Sequence, residues 1–451
     1  MKTSVLFLGG GVVSPPQREE WGASCAFGRL NGINFVVDAG IKPKLSRKPE
    51  FSTPNFKLIQ NERVDIIFIT HAHADHVGAL AVLAKQHPNA QIWMTWHTAD
   101  LAETLLSSSL SYLKHKRPEE LLESPPLFSA EDLTALKKRI QIAKPEEWEV
   151  FESAAGRIEF CFWPRGHLPG NSAVLLKAEG AALIFGSDTY SVELPTVEAA
   201  KPLPQDFLQL RPVLFTEGTN GATFHLDRKI EEARVTSFVR EVNRRGGNVL
   251  LPAFSIGSAQ NLVITLAQAG IPTLLGGKIA WTAMRSDAYL PFAERLKDHI
   301  HHLEGWDLQR FGKEERGRTV VASHGMLEHG SISHSLLRDW MADQNNAIVL
   351  TGYQAEGSLG RYLQTRARPD QRIYFPMNDD RITLKAEVQT IRLSSHDDLR
   401  HLVEGAISCR PREVVIGHAD EINYRSLSRR LENCGLKVQR GENNREFEFN
   451  F

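Results

Sequence analysis

The stretch THAHADHVGAL, residues 70–80, places three histidines and one aspartate within six positions. The residues before it, VDIIFIT (64–70), are β-branched and almost entirely apolar, which predicts a buried strand whose end delivers His71. The residues after it, HVGALAVLAKQHP (76–88), have helical spacing and stop at Pro88. Side chains between a strand and a helix sit on a rigid frame, so this junction predicts a functional site.

Four candidate ligands in six residues favour metal binding over the ordinary alternative, in which each is a surface or core residue among the 17 histidines. His71 and His73 can point the same way from an extended turn, while Asp75 and His76 face a point beside them. This spacing suits two adjacent metal ions better than one. Imidazole and carboxylate ligands without cysteine favour zinc, with manganese or iron as substitutes.

Composition limits the class of protein. The chain has 451 residues, 42% of them hydrophobic, and a net charge of −1, which predicts a soluble globular protein of two or more domains without a globally basic surface. Its four cysteines are scattered, so a reduced, cytoplasmic location is expected. The N-terminal MKTSVLFLGGGVVSPP is interpreted as a first strand and turn. No apolar run reaches the roughly 18 residues that a membrane span needs.

Apolar strands followed by polar clusters recur along the chain, which predicts an α/β fold with sites at strand ends. The clusters lie at Asp188 in AALIFGSDTYS, Glu217 in RPVLFTEGTNG, Ser255 in GGNVLLPAFSIGSAQ, Gln354 in AIVLTGYQAEGSLG, His396 in QTIRLSSHDD and His418 in REVVIGHADE. Asp398 and Asp420, taken singly, are interpreted as ordinary helix caps. Residues 98–150 predict a charged helical excursion that includes SYLKHKRPEELLESPP, and residues 305–318 a polar connector.

The motifs THAHADHVGAL, GHLPGNSAVLL, GSD and IGHADE resemble the metal motifs of the metallo-β-lactamase superfamily. The middle of the chain resembles the β-CASP insertion of its nucleic-acid-cleaving branch. The matching stretches are FTEGTNG, GGNVLLPAFSIGSAQNLVITL, VVASHGMLEHGSISHSL, NNAIVLTGYQAEGSLGRYL and RLSSHDD. The HxHxDH motif alone specifies only the superfamily, whereas the insertion motifs identify the branch.

This resemblance implies a site with two Zn²⁺ ions, for which manganese could substitute. The implied ligands are His71, His73 and His167 for one ion, Asp75, His76 and His418 for the other, and Asp188 between them. A water shared by the ions would supply a hydroxide near neutral pH. The implied catalytic residues are Asp75, Asp188, Glu217 and His396, with Glu217 orienting His396 near the scissile phosphate. Asp38 matches an aspartate that supports the metal loop, and a plain turn residue is the alternative.

The resemblance also implies an architecture. A metallo-β-lactamase αβ/βα sandwich is expected from residues 1–196, interrupted by a β-CASP domain of parallel α/β type at 197–389 and completed by residues 390–451. His418 would return late in the chain to close the metal site. The active site is then expected in a cleft between the domains that admits a single strand and excludes a duplex.

The implied function is a zinc-dependent ribonuclease acting on single-stranded RNA as an endonuclease, with an additional 5′ exonuclease activity left open. In the family, a histidine at the last motif accompanies RNA processing and valine accompanies DNA repair, so His418 favours RNA. The alternatives are a single-strand DNA nuclease of the same branch and a non-catalytic scaffold subunit of an RNA-processing complex. Homodimerisation or protein partners remain open, and no membrane partner is expected.

Some positions depart from the family pattern. Ser258 stands where relatives usually have arginine, so a planar cationic fork is replaced by one neutral hydrogen-bonding group. His324 in SHGM adds a titratable group, and HAD replaces HGE at the last motif. These departures suggest altered substrate choice. Arg244, Arg245 and Arg361 are candidates for RNA contact, each more simply explained as a solvated surface charge.

Overall fold

The computed structural model describes residues 3–13, 22–42, 52–113, 126–303, 316–375 and 379–451. The chain divides into two compact units. The first unit comprises residues 1–193, 197–224 and 396–451, and the second comprises residues 194–196 and 225–395. Most of SYLKHKRPEELLESPP and of the 305–318 connector lies outside the described residues, as does part of the N-terminal turn.

The strands are numbered in chain order over the described residues. They are β1 (Thr3–Gly9), β2 (Cys25–Leu30), β3 (Ile33–Val37), β4 (Ile66–Phe68), β5 (Gln91–Thr95), β6 (Ile140–Ala143), β7 (Trp148–Ser153), β8 (Gly156–Pro164), β9 (Ser172–Ala178), β10 (Ala181–Phe185), β11 (Val213–Glu217), β12 (Val249–Ala253), β13 (Thr273–Gly276), β14 (Ile300–Leu303), β15 (Thr319–Ser323), β16 (Ala347–Leu350), β17 (Arg372–Phe375), β18 (Asp380–Thr383), β19 (Glu387–Thr390), β20 (Glu413–Gly417), β21 (Val438–Arg440) and β22 (Glu446–Phe449).

The helices are numbered in the same way. They are α1 (Ala74–Val77), α2 (Leu80–Gln86), α3 (Trp96–Leu113), α4 (Ala130–Lys137), α5 (Gln205–Leu208), α6 (Arg228–Arg244), α7 (Ser258–Gln268), α8 (Lys278–Met284), α9 (Leu290–Arg295), α10 (Ile332–Trp340), α11 (Leu359–Thr365), α12 (Leu399–Ser408) and α13 (Glu421–Asn433). A short 3₁₀ helix spans Phe56–Ile59.

Two mixed sheets form the first unit. Within the described residues, one has the strand order β22-β1-β2-β3-β4-β5-β6 and the other β21-β20-β11-β10-β9-β8-β7. Their facing sides share one aromatic core, in which the ring centroids of Phe68 and Phe160 are 5.0 Å apart and those of Phe185 and Phe215 stack at 4.5 Å. Helices α12 and α13 cover the outer face of the second sheet through Leu402 and Leu427, so the sandwich predicted from the sequence is confirmed.

The second unit contains an all-parallel sheet of order β14-β13-β15-β12-β16-β19 and a small antiparallel pair, β17-β18. The central strand β12 is buried along its whole length, as expected for a parallel sheet covered on both faces. Leu336 and Trp340 of α10 pack with Val320 and Ile348 of the sheet. The predicted parallel α/β type of the β-CASP region is therefore confirmed.

Strand pairing sets the division between the two compact units. Strand β11 pairs in parallel with both β10 and β20, so residues 197–224 complete a sheet of the first unit. Strand β19 pairs with β16, which keeps residues up to 395 in the second unit. The domain boundaries predicted near 197 and 390 stay a prediction.

Two local predictions are also corrected. The helix expected from His76 is broken into α1 and α2, because the backbone of Ala39 donates to His76 O and accepts from Ala79 N, which removes these groups from a continuous helix. Residues 98–150 are not wholly helical, since they include β6 and part of β7. Strand β6 extends the first sheet beside β5, a pairing between positions that are distant in sequence.

Candidate metal centre

Asp38 holds the loop that carries the histidine cluster. It follows β3 with a positive φ of 63°, and its carboxylate accepts hydrogen bonds from Thr70 N at 2.8 Å and from Thr70 Oγ1 at 2.9 Å. It also lies 2.8 Å from His76 Nδ1. A Cβ on Gly40 would lie 1.7 Å from Asp75 O, so only glycine permits this close approach. The geometry favours the supporting role over the plain turn.

The first group of candidate ligands comprises His71, His73, His167 and Asp188. Their donor atoms lie within 4.8 Å of one another, and His167 Nε2 is 3.0 Å from His73 Nδ1. His71 follows β4, and His167 stands in the turn between β8 and β9 with a positive φ of 65°. His71, His167 and Asp188 are buried.

The second group comprises Asp75, His76 and His418. His418 Nε2 lies 3.1 Å from Asp75 Oδ2, and His76 Nε2 lies 4.0 Å from the same oxygen. His418 directly follows β20, so residues far apart in sequence meet here. Thr219 Oγ1 lies 3.1 Å from His418 Nδ1 and helps to orient the ring.

Asp188 lies between the two groups. Its carboxylate oxygens are 3.5 Å from His71 Nε2, 3.7 Å from His167 Nε2, 3.6 Å from His76 Nε2 and 3.7 Å from His418 Nδ1. One carboxylate therefore faces histidines of both groups, which is the geometry that a bridging ligand requires.

His396 and Glu217 form a pair beside this carboxylate. His396 Nδ1 lies 3.1 Å from Glu217 Oε2, and Glu217 Oε1 accepts from Thr189 N at 2.8 Å. Burial lowers the pKa of His396, but the carboxylates of Glu217 and Asp188 outweigh burial and raise it to about 9. The ring of His396 also lies 4.5 Å, centroid to centroid, from that of His167.

The donor set fits a metal cation. His71 Nε2, His76 Nε2 and Asp188 Oδ1 are buried without a hydrogen-bond partner among the described residues, an arrangement that costs stability unless another group engages them. Burial lowers the pKa of His76, yet Asp188, Asp38 and Asp75 raise it to about 10. The negative charge of these carboxylates therefore stabilises a positive charge placed among them. Imidazole with carboxylate is a typical donor set for transition metals.

Other residues singled out in the sequence lie elsewhere. Asp398 and Asp420 cap α12 and α13 by accepting from His401 N and Asn423 N, which confirms their interpretation as caps. Arg245 pairs with Glu387, and Arg361 pairs with Glu356. These two arginines are therefore engaged in ion pairs of the second unit.

Asn171 is a contributor that the sequence interpretation missed, although it lies within the quoted GHLPGNSAVLL. Its Nδ2 donates to Gly166 O at 3.1 Å and to Asp188 O at 2.6 Å, while its Oδ1 accepts from Ser187 Oγ at 2.6 Å. The side chain thereby joins the loop of His167 to the loop of Asp188. The neighbouring glycines in the sequence predict a turn, but they do not indicate which groups the Asn171 side chain binds.

Two of the departures from the family pattern, Ser258 and His324, fall in the second unit. Ser258 begins α7 and lines a pocket with Arg228, Asn261 and Thr351, all of the same unit. Arg228 is buried there and donates to Ser394 O at 3.0 Å. His324 follows β15 with a positive φ of 72° and is exposed. None of the helices within the described ranges is both long and apolar enough to cross a bilayer.

Comparisons with known proteins agree with this geometry. The metallo-beta-lactamase superfamily model matches residues 19–196, and the Beta-Casp domain model matches residues 226–363. Cleavage and polyadenylation specificity factor 73 of Drosophila melanogaster is 27% identical over 429 residues, which are 89% of this chain and 59% of the relative. RNase aCSPSF2 of Saccharolobus solfataricus is 27% identical over 457 residues, 99% of this chain and 85% of the relative.

A crystal structure of a protein of unknown function from Enterococcus faecalis V583 has a TM-score of 0.58 at 12% identity, covers 100% of both chains, and supports the fold alone. The chain spans 59% of the length of the Drosophila relative. Two family models match the chain in the expected order, and the structure has the sandwich, the parallel α/β unit and the His/Asp cluster. This chain therefore belongs to the metallo-β-lactamase superfamily, among the members that carry a β-CASP domain.

Proposed function

We propose that this chain is a zinc-dependent ribonuclease that hydrolyses phosphodiester bonds within single-stranded RNA and also degrades from 5′ ends. The observation that carries the proposal is the pair of His/Asp groups whose histidines face Asp188 from both sides, beside the Glu217–His396 pair. Two adjacent cation sites next to a group able to move a proton form the arrangement that phosphoryl hydrolysis requires.

The ligands divide between two ions in this proposal. His71, His73 and His167 would hold one ion, Asp75, His76 and His418 would hold the other, and Asp188 would serve both. Zinc suits this donor set, and manganese can replace it. Bound there, the ions supply Lewis-acid chemistry that lowers the pKa of water and neutralises charge on the phosphate.

The chain's own residues supply the proton transfer. Glu217 is buried and holds His396 Nδ1, which fixes the plane of the ring and favours its protonated form. A protonated imidazole held in place can donate a proton to the leaving oxygen as the phosphodiester bond breaks. Glu217 thus orients His396, and His396 is the general acid.

RNA is favoured over DNA as the substrate. The archaeal relative is named an RNase, and His418 occupies the last motif position, as in the RNA-processing members that the sequence resembles. The local chemistry of the site treats any phosphodiester alike, so the choice depends on contacts with the 2′-hydroxyl.

A cleavage assay with matched, 5′-labelled single-stranded RNA and DNA and added zinc or manganese tests the proposal. Asp188→Ala is expected to abolish RNA cleavage. Asp398→Ala removes a carboxylate that is as buried as that of Asp188 but only caps α12, so this variant should retain cleavage. Internal fragments indicate endonuclease action, and stepwise shortening indicates 5′ exonuclease action. Cleavage of DNA alone would overturn the RNA assignment, and metal-loaded protein that cleaves neither substrate would contradict the enzyme.

A further inference from the structure

Two adjacent aspartates follow His396 and have different partners. Asp397 and Asp398 are each only 1% exposed. Asp398 caps α12 and lies 2.8 Å from His401 Nδ1. Asp397 instead faces the loop after β10, where its carboxylate accepts hydrogen bonds from Ser191 N at 2.6 Å and Ser191 Oγ at 2.7 Å. The two side chains have matched burial, and they stabilise different parts of the unit.

Asp397 is part of a hydrogen-bond network that includes Glu217 and His396. Asp397 N donates to Thr189 O at 2.8 Å, and Thr189 N donates to Glu217 Oε1 at 2.8 Å. Glu217 in turn holds His396, which directly precedes Asp397. The segment after Asp188 is therefore tied to the His396 segment at two points, once through Glu217 and once through Asp397.

Burial makes the hydrogen bonds between Asp397 and Ser191 important for the stability of this loop. A carboxylate taken out of water is costly unless hydrogen bonds satisfy it, and Ser191 supplies two. Removal of the Asp397 carboxylate leaves the Ser191 N–H without its acceptor, and we expect the loop after Asp188 to rearrange toward another partner for that donor. His396 is attached to the same backbone, and a shift of that loop displaces it.

We propose that Asp397 is a positioning residue for hydrolysis, which acts through Ser191 and Thr189 to hold His396 at a fixed distance from Asp188. The proposal rests on the function proposed above, because it concerns the placement of the general acid in that reaction. Asp397 does not contact the reacting atoms, and its effect is transmitted by the backbone on either side of it.

A structural comparison tests the positioning directly and needs no activity. Crystal structures of Asp397→Ala and Ser191→Ala are expected to show the 189–191 segment displaced and the His396 Nδ1–Glu217 hydrogen bond, 3.1 Å in the wild type, broken or lengthened in Asp397→Ala. Ser191→Ala keeps the backbone donor, so a smaller displacement is expected. An unchanged His396 ring in Asp397→Ala overturns the proposal.

Kinetics on one single-stranded RNA at saturating metal test the consequence. Asp397→Ala should lower kcat on the order of 10²-fold with KM unchanged, since misplacement of about 1 Å has that effect. Ser191→Ala should lower kcat about tenfold or less, and the double variant should match Asp397→Ala because both act in one network. Asp397→Asn, which keeps one acceptor oxygen, should recover part of the loss.

Asp398→Ala is the matched control. It should reduce thermal stability through loss of the helix cap and leave kcat per folded, metal-loaded molecule unchanged. Equal kcat for Asp397→Ala and Asp398→Ala overturns the positioning role while the ribonuclease assignment stands. A wild-type protein without cleavage defeats the ribonuclease assignment instead, and the crystal comparison then decides the positioning role alone.

Discussion

The strand ends of the two units carry different chemistry. In the first unit, β10, β11 and β20 lead into or end at Asp188, Glu217 and His418, all buried and ionisable. In the second unit, β15 ends at Ser323 and β16 leads into Thr351, which are buried and neutral. Sites in α/β folds form at the carboxyl ends of strands, and at the strand ends named here the buried ionisable groups belong to the first unit.

This difference separates two tasks. Ionisable groups packed around a shared carboxylate suit cations and proton transfer, so we assign the chemistry to the first unit. We propose that the second unit contacts the substrate, because neutral hydroxyls and a helix that begins at Ser258 suit hydrogen bonds to an anionic backbone. The expected outcomes below follow from this assignment, beginning with the largest effect.

Replacement of His396 by alanine should affect chemistry alone. We expect kcat to fall by about 10²–10⁴-fold, because a general acid is lost, while the content of bound metal stays at the wild-type level. Steady-state kinetics combined with metal analysis of the same preparation measures both quantities. Loss of metal together with activity would show that His396 is a metal ligand and would contradict its role as the general acid.

Replacement of Asp38 by asparagine should weaken metal binding. The change removes the charge that faces His76 Nδ1 while keeping much of the shape, and loss of such an outer partner lowers metal affinity by about 10–100-fold. Competition with a chelator measures the affinity. Excess zinc should restore kcat in this variant but not in His396→Ala, and failure of that rescue would contradict a purely supporting role.

Replacement of Ser258 by arginine should alter the second unit's contribution only. A guanidinium at this position is expected to tighten binding of single-stranded RNA by about tenfold or less and to steepen the salt dependence by about 0.7 in log–log slope. Titration of labelled RNA at several salt concentrations measures both, and Ser258→Ala is the control. A change in kcat without a change in affinity would place Ser258 outside the RNA contact surface.

The residues that gather in the candidate metal groups could be identified from the sequence, whereas the hydrogen-bond network around them could not. His71, His73, Asp75 and His76 stand out because they are close in sequence after an apolar strand. Asp397 and Ser191 are 206 positions apart, and their contact depends on how the loops after β10 and before α12 are placed. Such pairings arise from tertiary packing, so neither period nor spacing reveals them.

The strand at FTEGTNG shows the same dependence on tertiary packing. The stretch FTEGTNG resembles an insertion motif, but β11, whose last three residues begin it, is hydrogen-bonded between β10 and β20 of the first unit. Parallel pairing joins segments that are distant along the chain, and motif order carries no information about it. The broken helix after His76 has a similar cause, because the backbone of Ala39 engages His76 O and Ala79 N.

The most direct test of the central claim is to measure how many metal ions the wild-type protein binds and where they lie. Elemental analysis, with anomalous diffraction at the zinc edge, should show two ions per chain. One should lie among His71, His73 and His167, the other among Asp75, His76 and His418, with Asp188 between them. Active protein that contains no transition metal, or crystals with bound zinc only outside these two groups, would contradict the account.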